Sequence, residues 1–124
     1  MCIRELLWMH RQDFPVVDYH VHLRGLTLEI ALKESHRLGH RIRVAVNCGL
    51  GFPVVNDAAA DQYLRNMSGQ PVFVGMQGEG REWVKLFSKE TVAKFDYVFT
   101  DALTFTDDNG KRMRIWLKEE VGEI

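Results

Sequence analysis

An α/β fold of parallel strands joined by helical crossovers is what this sequence predicts, on three observations. Valine-rich runs of strand length alternate with segments of helical period. Capping and turn residues sit at the junctions between them. Polar side chains then collect where the apolar runs end. Strand–helix–strand units of this size place their strands parallel, with helices covering the sheet.

The elements follow in order. "PVVDYHVHL" reads as the first strand. "TLEIALKESHRLGH" reads as a helix with Thr27 as N-cap; Leu28, Ala31, Leu32, Ser35 and Leu38 line one face before Gly39 stops it. "RIRVAVNCG" is the second strand and "GFPVVN" a turn-rich connection. "DAAADQYLRNMSG" is a second helix capped by Asn56. "QPVFVGMQGEG" is the third strand, and "REWVKLFSKETVAKF" has helical period with a break near Ser88. "DYVFTDALTF" reads as a fourth strand closed by the turn "TDDNG", leaving "KRMRIWLKEEVGEI" as a tail without a strong pattern. Four βα units are too few for an eight-unit barrel. The expectation is one domain over residues 1–124, a TIM-barrel-like partial barrel, with a small open sheet as the other arrangement.

Composition narrows the function classes. The 16 basic and 17 acidic residues leave a net charge of −1, which gives no electrostatic case for nucleic acid or an anionic membrane surface. No apolar run has the length of a membrane span, and "MCIRELLWMHRQDFP" mixes charges into its apolar segment, unlike a signal peptide. Cys2 and Cys48 form neither a disulfide framework nor a zinc-finger spacing, so a cytoplasmic setting is the expectation.

The alternation of a strand puts every second side chain on one face. Asp18, His20 and His22 therefore project together from the first strand, opposite Val17, Tyr19 and Val21. On the third strand Phe73, Gly75, Gln77 and Glu79 share a face, and on the fourth Phe99, Asp101 and Leu103 do. Sites in parallel α/β folds lie at the carboxyl ends of the strands. Those ends supply His20, His22, Asn47, Gln77, Glu79 and Asp101 here. Neutral imidazole with carboxylate suits zinc, manganese or iron. A divalent ion with an open position lowers the pKa of bound water from about 16 to about 7, which makes hydrolysis of an ester, amide or phosphoester accessible. Glu79 is the candidate ligand or general base, Asp18 a group that orients a histidine, and Asp101 a candidate catalytic carboxylate.

"DYHVHL" opening an α/β chain resembles the first-strand His-x-His signature of TIM-barrel metal-dependent hydrolases, the amidohydrolase and PHP (polymerase and histidinol phosphatase) superfamilies. "DYHVHLRGLTLEIALKESHRLGHRIRVAVN" is closer to the PHP pattern, and Glu79 in "GMQGEG" resembles the glutamate that bridges metals there. The resemblance implies a metal-dependent hydrolase acting on a small molecule, or a fragment of one that spans the first half of the family's barrel, with His20, His22 and Glu79 as ligands. PHP proteins usually end the second strand with Thr-Asp-His, where this chain reads "VNCG", and no histidine follows His40. The alternative is a non-catalytic half-barrel that self-associates and serves binding or scaffolding. His36 and His40 suit the carbonyl end of a helix, and Cys48, with no histidine placed to activate it, reads as a small buried thiol.

Overall fold

The computed structural model describes residues 16–100 and 103–122. These divide into two compact units: one runs up to Ala45 and includes Pro71–Phe73, the other comprises Val46–Gln70 and the chain from Val74 onward. Strand β2 (Arg41–Cys48) contributes its first half to one and its second half to the other.

The first unit is a strand–helix–strand. β1 (Val17–Val21) pairs parallel with β2, Val17 opposite Arg41 and Asp18 opposite Ile42. Between Asp18 and Val21 the register shifts, so that Val21 lies opposite Val44. The intervening helix α1 (Leu28–Leu38) begins where Thr27 turns its Oγ1 to accept the Ile30 amide. It ends at Gly39, whose φ of 69° is the left-handed conformation that a side chain disfavours and a C-cap requires. Glu29 in the first turn and His36 and Arg37 in the last complement the helix dipole. Ala31 and Ser35 face inward onto a core with Val16, Val44 and Ala45, and the Ser35 hydroxyl donates to the His40 carbonyl.

In the second unit, the end of β2 bonds to β3 (Phe73–Gly78), and β3 pairs parallel with β4 (Tyr97–Phe99). Helix α2 (Asp57–Met67), capped by the Asn56 side chain at the Ala59 amide, links the first two of these. The predicted third helix does break at Ser88. α3 (Trp83–Leu86) stops before it, and Ser88 then caps α4 (Lys89–Val92) through the Thr91 amide. Asp57 binds that junction to α2 by accepting the Ser88 amide at 2.8 Å, and Lys94 pairs with Asp61 at 2.7 Å. Val54, Ala60, Val74, Met76, Phe87 and Phe95 form the core. Gly75 must be glycine, because a Cβ there would sit 2.2 Å from the Tyr97 ring.

One expectation is corrected. The run "DYVFTDALTF" is not a single strand: β4 ends at Phe99, and Thr104–Thr106 forms β5, antiparallel to β6 (Arg112–Arg114). The "TDDNG" turn, with Asp107 accepting the Asn109 and Lys111 amides, closes this hairpin instead of ending the sheet. Helix α5 (Lys118–Val121) follows, tied back by Arg114 to Glu120. The chain is thus mixed α/β with parallel βα units. Among the described residues no helix is long and apolar enough to cross a membrane.

Candidate functional site

The strand ends of the two units hold two different polar arrangements. In the first unit, His20 and His22 turn their rings edge to face, with centroids 4.7 Å apart and planes at 79°. Their Nε2 atoms converge to 2.9 Å. The Nδ1 of His22 lies 2.8 Å from the Ala45 carbonyl. A carbonyl only accepts, so Nδ1 of His22 carries the proton and its Nε2 presents a lone pair. His20 then donates from Nε2 across the 2.9 Å contact when both rings are neutral. His20 is exposed and His22 half-buried.

Asp18 takes a different part from the one expected. Its Oδ1 accepts the backbone amide of His20 at 3.0 Å, an Asx-type turn, where an orienting role at an imidazole ring was anticipated. The register shift that follows explains why: the strict two-residue alternation does not carry through from Asp18 to Val21. Orientation of His22 comes instead from the backbone of Ala45.

In the second unit, Glu79 follows β3 and is 3% exposed. Asn47 Nδ2 donates to its Oε1 at 2.6 Å and Gln77 Nε2 to the same oxygen at 2.9 Å. Thr104 Oγ1 donates to Oε2 at 2.9 Å. Two donors occupy both lone pairs of Oε1, and Oε2 retains one. The Glu79 amide in turn donates to the Cys48 carbonyl at 2.9 Å. Gly49 makes the close approach feasible, since a Cβ there would lie 2.8 Å from the Glu79 carbonyl oxygen.

The β5–β6 hairpin extends this network. Arg112 donates from Nη1 to Thr104 Oγ1 at 3.2 Å, and from Nη2 to both Glu82 Oε1 and the Leu50 carbonyl at 2.7 Å. Its guanidinium lies over the Phe52 ring at 5.5 Å. Thr106 Oγ1 donates to Glu82 Oε2 at 2.7 Å. Burial works to raise the Glu82 carboxyl, but the Thr106 hydroxyl, the backbone amides of Glu82 and Arg81 and the Arg112 charge together hold the group below its ordinary range. Burial first, and the Glu79 carboxylate second, push the Cys48 thiol up to about 12. Cys48 is fully buried and unactivated, as read from the sequence.

The structure therefore brings His20 to His22, and separately gathers Asn47, Gln77 and Glu79; Asp101 lies outside the described residues. Among the described residues no three His, Cys, Asp or Glu side chains group closely enough to hold a metal ion. The sequence singles out neither Thr104 and Arg112, which lie in a strand-like run and a patternless tail, nor Glu82, which stands at the N-terminal boundary of α3, an ordinary place for an acidic residue. The chain matches no family model, no curated protein and no solved structure.

Proposed function

We propose that this chain is a metal-dependent hydrolase of the His-x-His α/β type, with His20 and His22 as ligands to a divalent transition metal. One observation carries the reading: the two Nε2 atoms converge to 2.9 Å while His22 Nδ1 is anchored on a backbone carbonyl. Two nitrogens held about 2.1 Å from one ion, at roughly a right angle, lie about 3 Å apart. An anchored second nitrogen is the usual companion of a metal-binding imidazole, because it fixes the tautomer and the ring plane. The donors present fit two coordination positions, and imidazole suits zinc, manganese or iron. Bound there, the ion would supply Lewis acidity and a water acidic enough to react near neutral pH.

The residues of the chain contribute orientation. Ala45 holds the His22 ring, and the Asp18 turn sets the backbone direction at His20. The finer fold reading, a partial TIM-like barrel of PHP or amidohydrolase kind, is supported by the parallel βα units and by the His-x-His that ends the first strand. The substrate class is a small molecule with an ester, amide or phosphoester bond. Glu79 is left out of this metal reading, its carboxylate accepting from Asn47, Gln77 and Thr104.

Equilibrium dialysis against Zn²⁺, followed by elemental analysis, tests the site. Wild type is expected to retain metal, and His20→Ala and His22→Ala to bind it at least about tenfold more weakly. Equal metal content in all three would remove the proposal. Metal-loaded wild type is further expected to turn over p-nitrophenyl phosphate or p-nitrophenyl acetate in a chelator-sensitive way; metal binding without any such turnover would leave a metal-binding protein and discard the hydrolase.

A further inference from the structure

The first unit contains a cavity of about 320 Å³ that has no part in the histidine site. Its walls come from α1, from the start of β2 and from the residues that lead into β3. It therefore lies where strands begin, whereas His22 lies beyond the end of β1. Leu32, Ile42, Pro71 and Phe73 give it an apolar lining, to which Arg41 and Arg43 add two cationic residues. Among the described residues no acidic side chain lines it.

Arg43 is held in an unusual way. Its guanidinium carbon sits 4.0 Å from the centre of the Phe73 ring and 5.0 Å from that of Tyr19. Those rings are 53% and 55% exposed, so two large aromatic surfaces stay near solvent beside a cation. Stacking on aromatic rings uses the faces of the guanidinium plane and leaves the in-plane N–H groups to bind. The Nε of Arg43 is buried and has no hydrogen-bond partner among the described residues. Among the described residues no carboxylate pairs with Arg41 or Arg43. A buried donor without an acceptor is unfavourable, and a ligand oxygen that reaches it relieves that penalty.

We infer that this cavity is a binding site for a small planar organic anion, an aromatic carboxylate or phosphate monoester. The anionic head takes the edges of the two arginines, in the bidentate manner for which guanidinium is shaped. The flat apolar body lies against Phe73, Pro71 and Leu32. A cavity of this volume is at the small end of ligand sites and suits a single ring with one anionic group, not a dinucleotide. The inference stands apart from the metal reading, with which it shares no residue.

Titration of the full chain with benzoate, phenyl phosphate, inorganic phosphate and benzyl alcohol, followed by NMR or calorimetry, tests it. Benzoate or phenyl phosphate is expected to saturate below about 10 mM, with inorganic phosphate and the neutral alcohol at least about tenfold weaker. Arg43→Met is expected to weaken the aromatic anion about tenfold or more, and Arg41→Met several-fold. Arg43→Lys keeps the charge but loses the fork, and should recover only part of the affinity. Should Arg43→Met fail to fold, the exposed Arg41→Met and Arg43→Lys carry the decision. Absence of saturable binding by either aromatic anion would overturn the site, as would unchanged affinity in the arginine variants or equal binding of benzyl alcohol.

Discussion

The histidine pair of the first unit and the Glu79 cluster of the second are both polar groups at strand ends, yet they solve opposite problems. His20 is exposed in β1 and the half-buried His22 follows it; their Nε2 atoms meet, and His22 takes an anchor from the backbone. Glu79 is buried and surrounded by three donors, with a fourth residue, Arg112, buttressing Thr104. The histidines direct their Nε2 atoms at each other, with the second ring nitrogen of His22 anchored on the backbone. The carboxylate uses its acceptors to hold β2, β3 and the β5–β6 hairpin in place. Polar character at a strand end is therefore not one signal: the two histidine rings close on each other, whereas the Glu79 carboxylate ties β2, β3 and the hairpin together.

The comparison is sharpened first by chemical labelling, where the contrast is largest. With its thiol held near 12, Cys48 should alkylate about a thousandfold more slowly than an ordinary cysteine at pH 8, measured on a Cys2→Ser background. Diethyl pyrocarbonate should meanwhile modify His20 readily in the same native protein. Fast labelling of Cys48 would show that the second unit is not sealed around its polar cluster.

Removing the carboxylate comes next. Glu79→Ala strands the Asn47, Gln77 and Thr104 donors in a buried place, and should cost about 3–5 kcal/mol in urea denaturation. Glu79→Gln turns a donor toward donors and should cost roughly 1–3 kcal/mol. His20→Ala should change stability by less than about 0.5 kcal/mol, as expected of an exposed side chain. Equal losses at Glu79 and His20 would erase the distinction drawn here. Gly49→Ala tests the same cluster through the backbone, since the new methyl would meet Glu79 at 2.8–2.9 Å; about 1–3 kcal/mol is expected.

Smaller effects compare the units on equal terms. Thr27→Ala in one and Asn56→Ala in the other each remove an N-cap acceptor and should cost about 1 kcal/mol. Acid stability is the mildest readout. Glu82, pulled down by Thr106 and Arg112 against the opposing effect of burial, and Asp57, held down chiefly by Ser88, both have carboxyls depressed in the folded state. Their contribution is complete above the ordinary carboxylate range and is lost as the pH falls through the depressed values. Thr106→Val should therefore flatten the acid limb of a stability–pH curve; an unchanged limb would count against the Glu82 assignment.

The sequence made most of the regular structure legible. Thr27 and Gly39 bounded α1, Asn56 began α2, and Ser88 marked the break between α3 and α4, because caps are local chemistry. The hairpin was not legible: Thr104 and Phe105 read as a continuation of the β4 run, and their antiparallel pairing with Arg112–Arg114 leaves no local mark. The face assignment at β1 held for the histidine rings, which meet. The Asp18 contact with the His20 amide and the register shift after it leave no mark in the alternation, because pairing register is set across strands. Asn47 and Gln77 were recognised as orienting amides, but that they both serve Glu79 depends on contacts across 32 and two residues.

The anchor on His22 has a consequence of its own. The group that fixes its imidazole is the peptide oxygen of a buried alanine, an atom that every amino acid possesses. No side-chain replacement can delete it, so a mutational scan would find no residue whose loss releases the ring. Aim at this position is inherited from the path of β2, and it drifts only when the main chain itself moves.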